Sequence, residues 1–179
     1  MIFPMKEKFH GKCRRLQADT IANALGVDPL YQAFQRIESG IGRFEDFEMT
    51  EHQWHLPLLW QQQLLKANLP TQLDYPISCL SEGQKTKLAL CALFVKTDHY
   101  LLLDEPSNHL DYASRLWLID CLKAHSSGAL IVTHDRALLQ HAAHIYALNE
   151  PGMSSFCGSY SDYTQQLNLQ NSALERHVL

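Results

Sequence analysis

Two short apolar runs, each followed by a helical pattern, constrain the fold of this chain more than any other feature. The runs cover residues 100–103 and 129–133, and the helical patterns cover residues 112–124 and 136–143. Apolar runs of this length are typical of strands that are buried on both faces. A strand, a helix, a strand and a helix in this order predict parallel pairing of the two strands, and therefore an α/β fold.

The remainder of the chain divides into a helical first half and a short hairpin near the end. The first half has no strong strand pattern, and helical spacing covers residues 20–25, 29–39 and 50–68. A long helical pattern over residues 82–95 then begins the α/β layer. Residues 145–148 and 153–156 flank a turn that contains Pro and Gly, which predicts a hairpin. Residues 165–179 are polar and helix-prone, so they are interpreted as an outgoing linker helix or a frayed end.

Composition and charge restrict the class of protein. A chain of 179 residues with 46% hydrophobic and 19% charged residues is typical of one globular domain. The net charge of −4 gives no general attraction to nucleic acid, and a solvated face explains the one local basic cluster more simply than an RNA contact. That cluster consists of Lys6, Lys8, Lys12, Arg14 and Arg15. Five widely spaced cysteines and the lack of a long apolar run predict reduced thiols in a cytoplasmic protein.

The tetrapeptide Ser81-Glu82-Gly83-Gln84 opens the long helical pattern of residues 82–95. A Ser followed three residues later by a Gln is a capping box, which marks a helix start. Helix starts present free backbone N–H groups to anions, and Gly83 would let a phosphate approach the backbone closely. Most capping boxes only begin helices, so the tetrapeptide alone does not establish an anion site.

Polar residues follow both predicted strands. Asp104 and Glu105 come directly after the first strand, at the edge where open α/β sheets bind ligands. One carboxylate there suits Mg²⁺ and the other suits a general base, although an acidic turn is the plain alternative. Asp111 is placed to cap the next helix, and His134 after the second strand is suited to bind a phosphate or a water, or is an ordinary loop histidine.

Four segments together resemble the ATP-binding cassette family. Residues 80–84 resemble its signature, residues 101–105 its Walker B strand, residues 107–111 its D-loop and residues 133–136 its switch histidine segment. The sequences Asn-His-Leu-Asp at 108–111, His-Asp-Arg at 134–136 and Gly-Ser-Tyr-Ser-Asp-Tyr at 158–163 are similar to the ABC-F branch. Members of this branch are soluble tandem ATPases that act on the ribosome or confer antibiotic resistance.

The resemblance implies an α/β fold of the P-loop NTPase type with a parallel sheet, flanking helices and a helical subdomain. It implies that Glu105 is the catalytic base, that Asp104 organises Mg²⁺ and that His134 senses the γ-phosphate of ATP. The residues implied to serve an ATP that is held mainly by a second cassette are Ser81, Gly83, Gln84 and Asp111. The implied divisions are the helical subdomain and its approach (residues 1–79), an α/β ATPase lobe (80–158) and the start of an inter-domain linker helix (159–179).

The chain also departs from the family pattern. No Gly-x-x-x-x-Gly-Lys-Ser/Thr phosphate loop occurs in it, so we expect the isolated chain to be inactive as an ATPase. Glu82 replaces the usual glycine and brings a carboxylate near the expected phosphate, and Met5 stands where the family has a glutamine, with Gln17 as another candidate. A non-catalytic interaction module, which docks on an intact cassette or a ribosome, and a decayed fragment are the alternatives.

Overall fold

The computed structural model describes residues 8–10, 19–95, 99–149 and 152–176. The chain forms two compact units, Met1–Ile131 and Val132–Leu179, and each is described by itself. The first unit contains β1 (Lys8–His10), α1 (Ile21–Leu25), α2 (Asp28–Glu38), α3 (Phe44–Thr50), α4 (Leu56–Lys66), a 3₁₀ turn (Ile77–Cys79), α5 (Glu82–Phe94), β2 (Leu101–Asp104) and α6 (Tyr112–Ala124). Strand β3 (Ala129–Val132) spans the boundary between the units.

A three-stranded sheet has the order β1-β2-β3, so β2 is its central strand. Strands β1 and β2 are parallel, with Lys8 opposite Leu102 and His10 opposite Asp104. The predicted α/β fold with a small parallel sheet is therefore confirmed. Strand β1 was not predicted, because three residues with a single apolar side chain carry no strand periodicity and the pairing is made by backbone groups.

Strand β3 differs from the prediction of a buried strand. Its residues alternate between half-buried and exposed, and the side chains of Leu130 and Val132 are both more than half exposed. The uniformly apolar sequence resembles that of a strand covered on both faces. The sequence shows that the strand is apolar, but it does not show which elements pack against the strand and bury it.

The helical part of the first unit has its own apolar core. Helix α1 is capped at its start by Thr20, whose Oγ1 accepts a hydrogen bond from the N–H of Asn23 (3.3 Å), and at its end by Gly26 in the left-handed conformation (φ 71°). The core also takes side chains from the middle and second half of α5, Leu88 and Cys91. Its buried members are Ile21, Ala22, Leu25, Phe34, Trp60, Leu64, Ala67, Leu69, Leu73, Ile77, Leu80, Leu88 and Cys91. Helix α5 is thus fixed from one side by the helical core.

Helix α3 was missed, and the predicted helix over residues 50–68 is in fact shorter, because α4 covers only Leu56–Lys66. The two residues that α3 buries are polar, Asp46 and Thr50. The Asp46 carboxylate accepts hydrogen bonds from the Arg36 guanidinium and from the N–H of Arg43 (2.9 Å). The apolar side chains of α3, Phe44, Phe47 and Met49, are exposed. Hydrophobic periodicity counts apolar positions only, so it does not detect a helix that is anchored by a buried polar pair.

The second unit contains α7 (Arg136–Leu139), β4 (His144–Asn149), β5 (Gly152–Cys157) and α8 (Tyr160–Arg176). Strands β4 and β5 are antiparallel, with Ile145 opposite Phe156, so the predicted hairpin is confirmed. Helix α7 has four residues where eight were predicted. In the parts of the chain that the structure describes, no helix combines the length and apolar character needed to span a bilayer.

Candidate functional site

The start of α5 has the predicted capping box. The Ser81 Oγ accepts a hydrogen bond from the N–H of Gln84 (3.3 Å), and the N–H of Ser81 donates to the Gln84 Oε1 (2.9 Å). Ser81 is exposed rather than buried in the core. Each side chain therefore caps the backbone N–H of the other residue. The hydroxyl proton of Ser81 and the first backbone N–H groups of the helix remain suited to an anion, because no intrahelical carbonyl is available to those N–H groups.

Glu82 lies next to this helix start, and its carboxylate is engaged along the helix. The Lys85 Nζ donates a hydrogen bond to Glu82 Oε1 (2.7 Å). This hydrogen bond lowers the pKa of Glu82, so the side chain is ionised at neutral pH. The ammonium of Lys85 balances the negative charge that the sequence brings close to the expected phosphate position.

Strand β2 ends where its buried side chains give way to carboxylates. Leu101 and Leu103 are almost completely buried, whereas Asp104 is exposed. Glu105 follows with φ 46°, a left-handed conformation that non-glycine residues rarely adopt. Strained backbone of this kind concentrates at functional sites, where the surrounding structure maintains it. The conformation turns the chain sharply at the second carboxylate.

The loop after Glu105 leads into helix α6. Pro106 and Ser107 are buried, and His109 is left-handed (φ 64°). Asp111 caps α6, because its Oδ1 accepts a hydrogen bond from the N–H of Ser114 (2.8 Å). Hydrogen bonds from Ser114 lower the pKa of Asp111. Capping accounts for Asp111 by itself, and a role for it at a nucleotide stays a prediction.

The start of α5 packs directly against this loop. A Cβ atom placed on Gly83 would lie 2.9 Å from the carbonyl oxygen of His109, closer than such atoms approach in proteins. Lys87 of α5 is buried, and its charge adds to the hydrogen bonds of Ser114 in lowering the pKa of Asp111. The signature-like helix start and the loop that follows the two carboxylates thus form one surface.

His109 and Lys87 were not among the predicted site residues. The contact of His109 is made by its backbone carbonyl, which any residue carries, so no sequence pattern reports it. Lys87 lies in an amphipathic helix, where a lysine is usually solvated. The positions of His109 and Lys87 at this surface are seen only in the folded structure, in which α5 packs on the loop.

His134 lies in the second unit and is exposed. It stands between Thr133, whose Oγ1 accepts a hydrogen bond from the N–H of Asp135 (3.0 Å), and Asp135, which caps α7 through the N–H of Ala137 (2.9 Å). The polar turn around His134 is therefore well defined, and its role stays a prediction. Met5 and Gln17 lie outside the described residues.

The described residues fit one side of a site for ATP and Mg²⁺. The exposed carboxylate of Asp104 is a hard oxygen ligand of the kind that Mg²⁺ prefers, directly or through water. The capped start of α5, with Ser81 and Gly83, is suited to phosphate oxygens. Across the described residues, no three His, Cys, Asp or Glu side chains are grouped as a metal cage. The sequence contains no Gly-x-x-x-x-Gly-Lys-Ser/Thr phosphate loop.

Comparison with known proteins assigns the family. A model of the ABC transporter family matches residues 13–108. The chain belongs to the ATP-binding cassette family. Its resemblance to the ABC-F branch is also confirmed, since its relatives include proteins named ABC transporter F family members.

Three relatives illustrate the similarity of this cassette chain to known proteins. The energy-dependent translational throttle protein EttA of Mycobacterium tuberculosis is 34% identical over 127 residues, which cover 70% of this chain and 23% of that protein. The putative ATP-binding protein YdiF of Bacillus subtilis is 40% identical over 91 residues, 50% of this chain and 14% of that protein. The ABC transporter F family member 2 of Arabidopsis thaliana is 33% identical over 104 residues, 58% of this chain and 15% of that protein.

A solved structure supports the cassette fold. The chain matches the structure of a bacterial Atm1-family ABC exporter with ATP bound, with a TM-score of 0.56 and 20% identity, over 92% of this chain and 27% of the exporter chain. The cassette chain spans about a quarter or less of the length of the curated relatives quoted above.

Proposed function

We propose that the chain is part of an ABC-F-type ATPase and supplies one side of a composite site at which two cassettes bind and hydrolyse ATP. The observation that carries this proposal is the contact between Gly83 and the carbonyl of His109, because it joins the signature-like helix start to the loop that follows Asp104 and Glu105. An anion-binding helix end and two carboxylates on neighbouring elements are the groups that phosphoryl transfer requires.

On the signature side, Ser81 and Gly83 bind the terminal phosphate of an ATP that is held mainly by the other cassette. The Ser81 hydroxyl donates its proton to a phosphate oxygen, and the first N–H groups of α5 donate alongside it. Gln84 fixes the orientation of Ser81 through the capping box. Asp111 keeps the adjoining loop in place by capping α6.

On the strand side, Asp104 would hold Mg²⁺, and Glu105 acts as the general base. Bound Mg²⁺ would neutralise part of the negative charge on the phosphates of ATP. The Glu105 carboxylate accepts a proton from the attacking water, and its position is set by the turn at φ 46°. His134 hydrogen-bonds the γ-phosphate as a sensor.

We further propose that the 179 residues alone neither bind ATP tightly nor hydrolyse it. The phosphate loop supplies most of the contacts to the phosphates of a P-loop NTPase, and no such loop occurs in this sequence. A second cassette, in the same or another chain, would complete the site. Translation on the ribosome in the cytoplasm is the process that we propose, since a relative is named a translational throttle protein.

The test mixes the chain with an intact cassette protein that contains a phosphate loop. We expect the chain alone to show no calorimetric ATP binding at micromolar concentration and no turnover. Addition of the chain is expected to raise the ATPase rate of the intact protein, and Glu105→Gln is expected to remove most of this increase. The chain carrying Leu65→Ser, a change at an exposed residue of α4, serves as the matched control.

Three outcomes would contradict parts of the proposal. Micromolar ATP binding with Glu105-dependent turnover by the chain alone would contradict the composite site. Inhibition of the intact cassette that Glu105→Gln leaves unchanged would favour a non-catalytic interaction module. A melt without cooperativity, together with no effect on the intact cassette, would favour a decayed fragment.

A further inference from the structure

A small pocket of about 240 Å³ lies among α4, α5 and α6, within the first unit. No residue assigned to ATP lines this pocket, so its occupant is independent of the proposed ATPase function. Helix α4 contributes a glutamine, α5 and α6 each contribute a thiol and an aromatic ring, and a histidine follows α6. These lining residues are Gln63, Cys91, Phe94, Trp117, Cys121 and His125.

The aromatic rings of the lining are held by contacts with one another. The ring centroid of Phe94 lies 6.4 Å from that of Trp117 and 6.1 Å from that of His125, in edge-to-face geometry. The His125 Nε2 lies 2.8 Å from the carbonyl oxygen of His99, and because a carbonyl only accepts, the Nε2–H donates this hydrogen bond. These contacts join α5 to α6, so the aromatic part of the pocket is formed without a ligand.

The amide of Gln63 is the polar group of the pocket. Its Oε1 is buried, and among the described residues no donor lies within hydrogen-bond distance of it. A buried acceptor without a partner raises the free energy of the folded state, so a ligand that donates a hydrogen bond to this oxygen recovers that cost. Water can supply such a donor, but it gains nothing from the neighbouring rings and thiols.

The charges around the pocket oppose each other. Burial raises the pKa of Cys121 to about 11, while Asp120 raises it further and Lys66 lowers it. Burial also raises the pKa of Cys91 to about 12, so both thiols are neutral at neutral pH. A carboxylate and an ammonium that act on the same thiol give the pocket no strong preference for a charge of either sign. An uncharged ligand also avoids the cost of taking a charge out of water.

We propose that this pocket binds a small, uncharged, planar aromatic molecule that carries an N–H or O–H donor. The rings of Phe94, Trp117 and His125 favour an aromatic ligand, which packs against them in offset or edge-to-face geometry. The buried Gln63 Oε1 requires the donor. The volume is below the roughly 300 Å³ at which pockets for drug-sized ligands begin, so the ligand has one or two rings.

The test titrates the chain with indole, which has two fused rings and one N–H, and with benzofuran, which has an oxygen in place of that N–H. Chemical-shift changes in NMR spectra of the protein measure binding. We expect saturable shifts at the residues that line the pocket, with a dissociation constant for indole of about 1 mM or below. Indole is expected to bind about fivefold more tightly than benzofuran, because benzofuran leaves the Gln63 Oε1 without a donor.

Three variants separate the parts of the proposal. Gln63→Met keeps the length of the side chain but removes the amide, so the advantage of indole is expected to fall below about twofold. Cys121→Leu fills part of the pocket and is expected to weaken both probes by at least about tenfold. Gln63 also lines a wider groove among α2, α3 and α4, so Met49→Leu in that groove is the matched control and is expected to change neither affinity more than about twofold. Thermal melts establish that each variant is folded.

The absence of saturable shifts up to the solubility limit of indole would overturn the proposal. Shifts confined to the wider groove, or a loss of affinity as large in Met49→Leu as in Cys121→Leu, would overturn it too. An advantage of indole over benzofuran that Gln63→Met leaves unchanged would overturn the assignment of the donor to Gln63. Binding of indole-3-acetate or tryptamine more than about tenfold tighter than that of indole would overturn the choice of an uncharged ligand.

Discussion

The backbone carbonyl of His109 occupies the space that a side chain at position 83 would need. An added Cβ would lie 2.9 Å from that oxygen, and His109 itself is held at φ 64°. Gly83 is therefore required by the packing of α5 on the loop, in addition to any contact with a phosphate. This relationship makes the effect of a substitution at position 83 predictable.

We predict that Gly83→Ala destabilises the chain. Helix propensity alone predicts the opposite, a gain of up to about 1 kcal/mol for alanine over glycine in a helix. Because the methyl group would collide with the His109 carbonyl, the loop has to move, and we expect a lower denaturation midpoint and faster amide exchange at residues 108–110. Gly152→Ala, where an added Cβ meets nothing within 4 Å, is the control. An increase in stability for Gly83→Ala would show that the loop yields without cost.

We predict that Glu105→Gly is more stable than Glu105→Ala by about 1 kcal/mol, although both remove the carboxylate. Glycine adopts φ 46° without the steric cost that a Cβ imposes. Comparison of the two variants cancels the loss of side-chain interactions, so that the difference reports the backbone alone. Urea denaturation measures it. Equal stability, or a more stable alanine variant, would mean that the turn is not strained.

We predict that the pair of Arg36 and Asp46 makes stability depend on pH in the acidic range. Hydrogen bonds from Arg36 and from the N–H of Arg43 lower the pKa of Asp46 to about 2. A carboxyl with a lowered pKa in the folded state contributes stability above its ordinary pKa near 3.8, and this contribution is lost as pH falls toward 2. Arg36→Met should therefore reduce stability at neutral pH and flatten its dependence on pH between about 4 and 2.

The control for this prediction is Lys85→Met, which removes the pair between Lys85 and Glu82. That carboxylate is 74% exposed, so solvent screens the pair and its removal should change stability very little. Urea midpoints at a series of pH values measure both variants. An unchanged acid dependence in Arg36→Met would contradict a folding role for the pair.

We predict that two of the cysteines react slowly with thiol reagents at about pH 8. Burial raises the pKa of Cys91 to about 12 and that of Cys121 to about 11, so both are neutral thiols under these conditions. Among the described residues, Cys79 and Cys157 are exposed and should be alkylated before Cys91 and Cys121. Mass spectrometry of peptides after timed alkylation measures the order. Early modification of Cys91 would mean that the helical core opens readily.

Sequence predicted the elements whose residues carry a regular local pattern. The helix Tyr112–Ala124 has the predicted bounds, and the Ser81 capping box marks α5 correctly. Both depend on contacts within a few residues, which a sequence displays directly. Strand β1 and helix α3 were missed because distant partners, β2 and Arg36, stabilise them.

In the candidate site, too, sequence predicts the residues that belong to local motifs and misses the contacts between distant residues. Short motifs led to the prediction of seven site residues, whose roles stay predictions: Ser81, Gly83, Gln84, Asp104, Glu105, Asp111 and His134. The fit of the His109 carbonyl against Gly83 joins residues 26 positions apart and depends on how α5 packs on the loop. No spacing rule covers such a fit, so only the folded chain reveals it.

The mutual hydrogen bonds of Ser81 and Gln84 have a consequence for binding kinetics and entropy. Each side chain accepts a hydrogen bond from the backbone N–H of the other residue without any ligand. An anion that docks at this helix end therefore loses little affinity to ordering of the protein, and its association rate is not limited by rearrangement there. Any anion site at the start of α5, which stays a prediction, would therefore be preorganised.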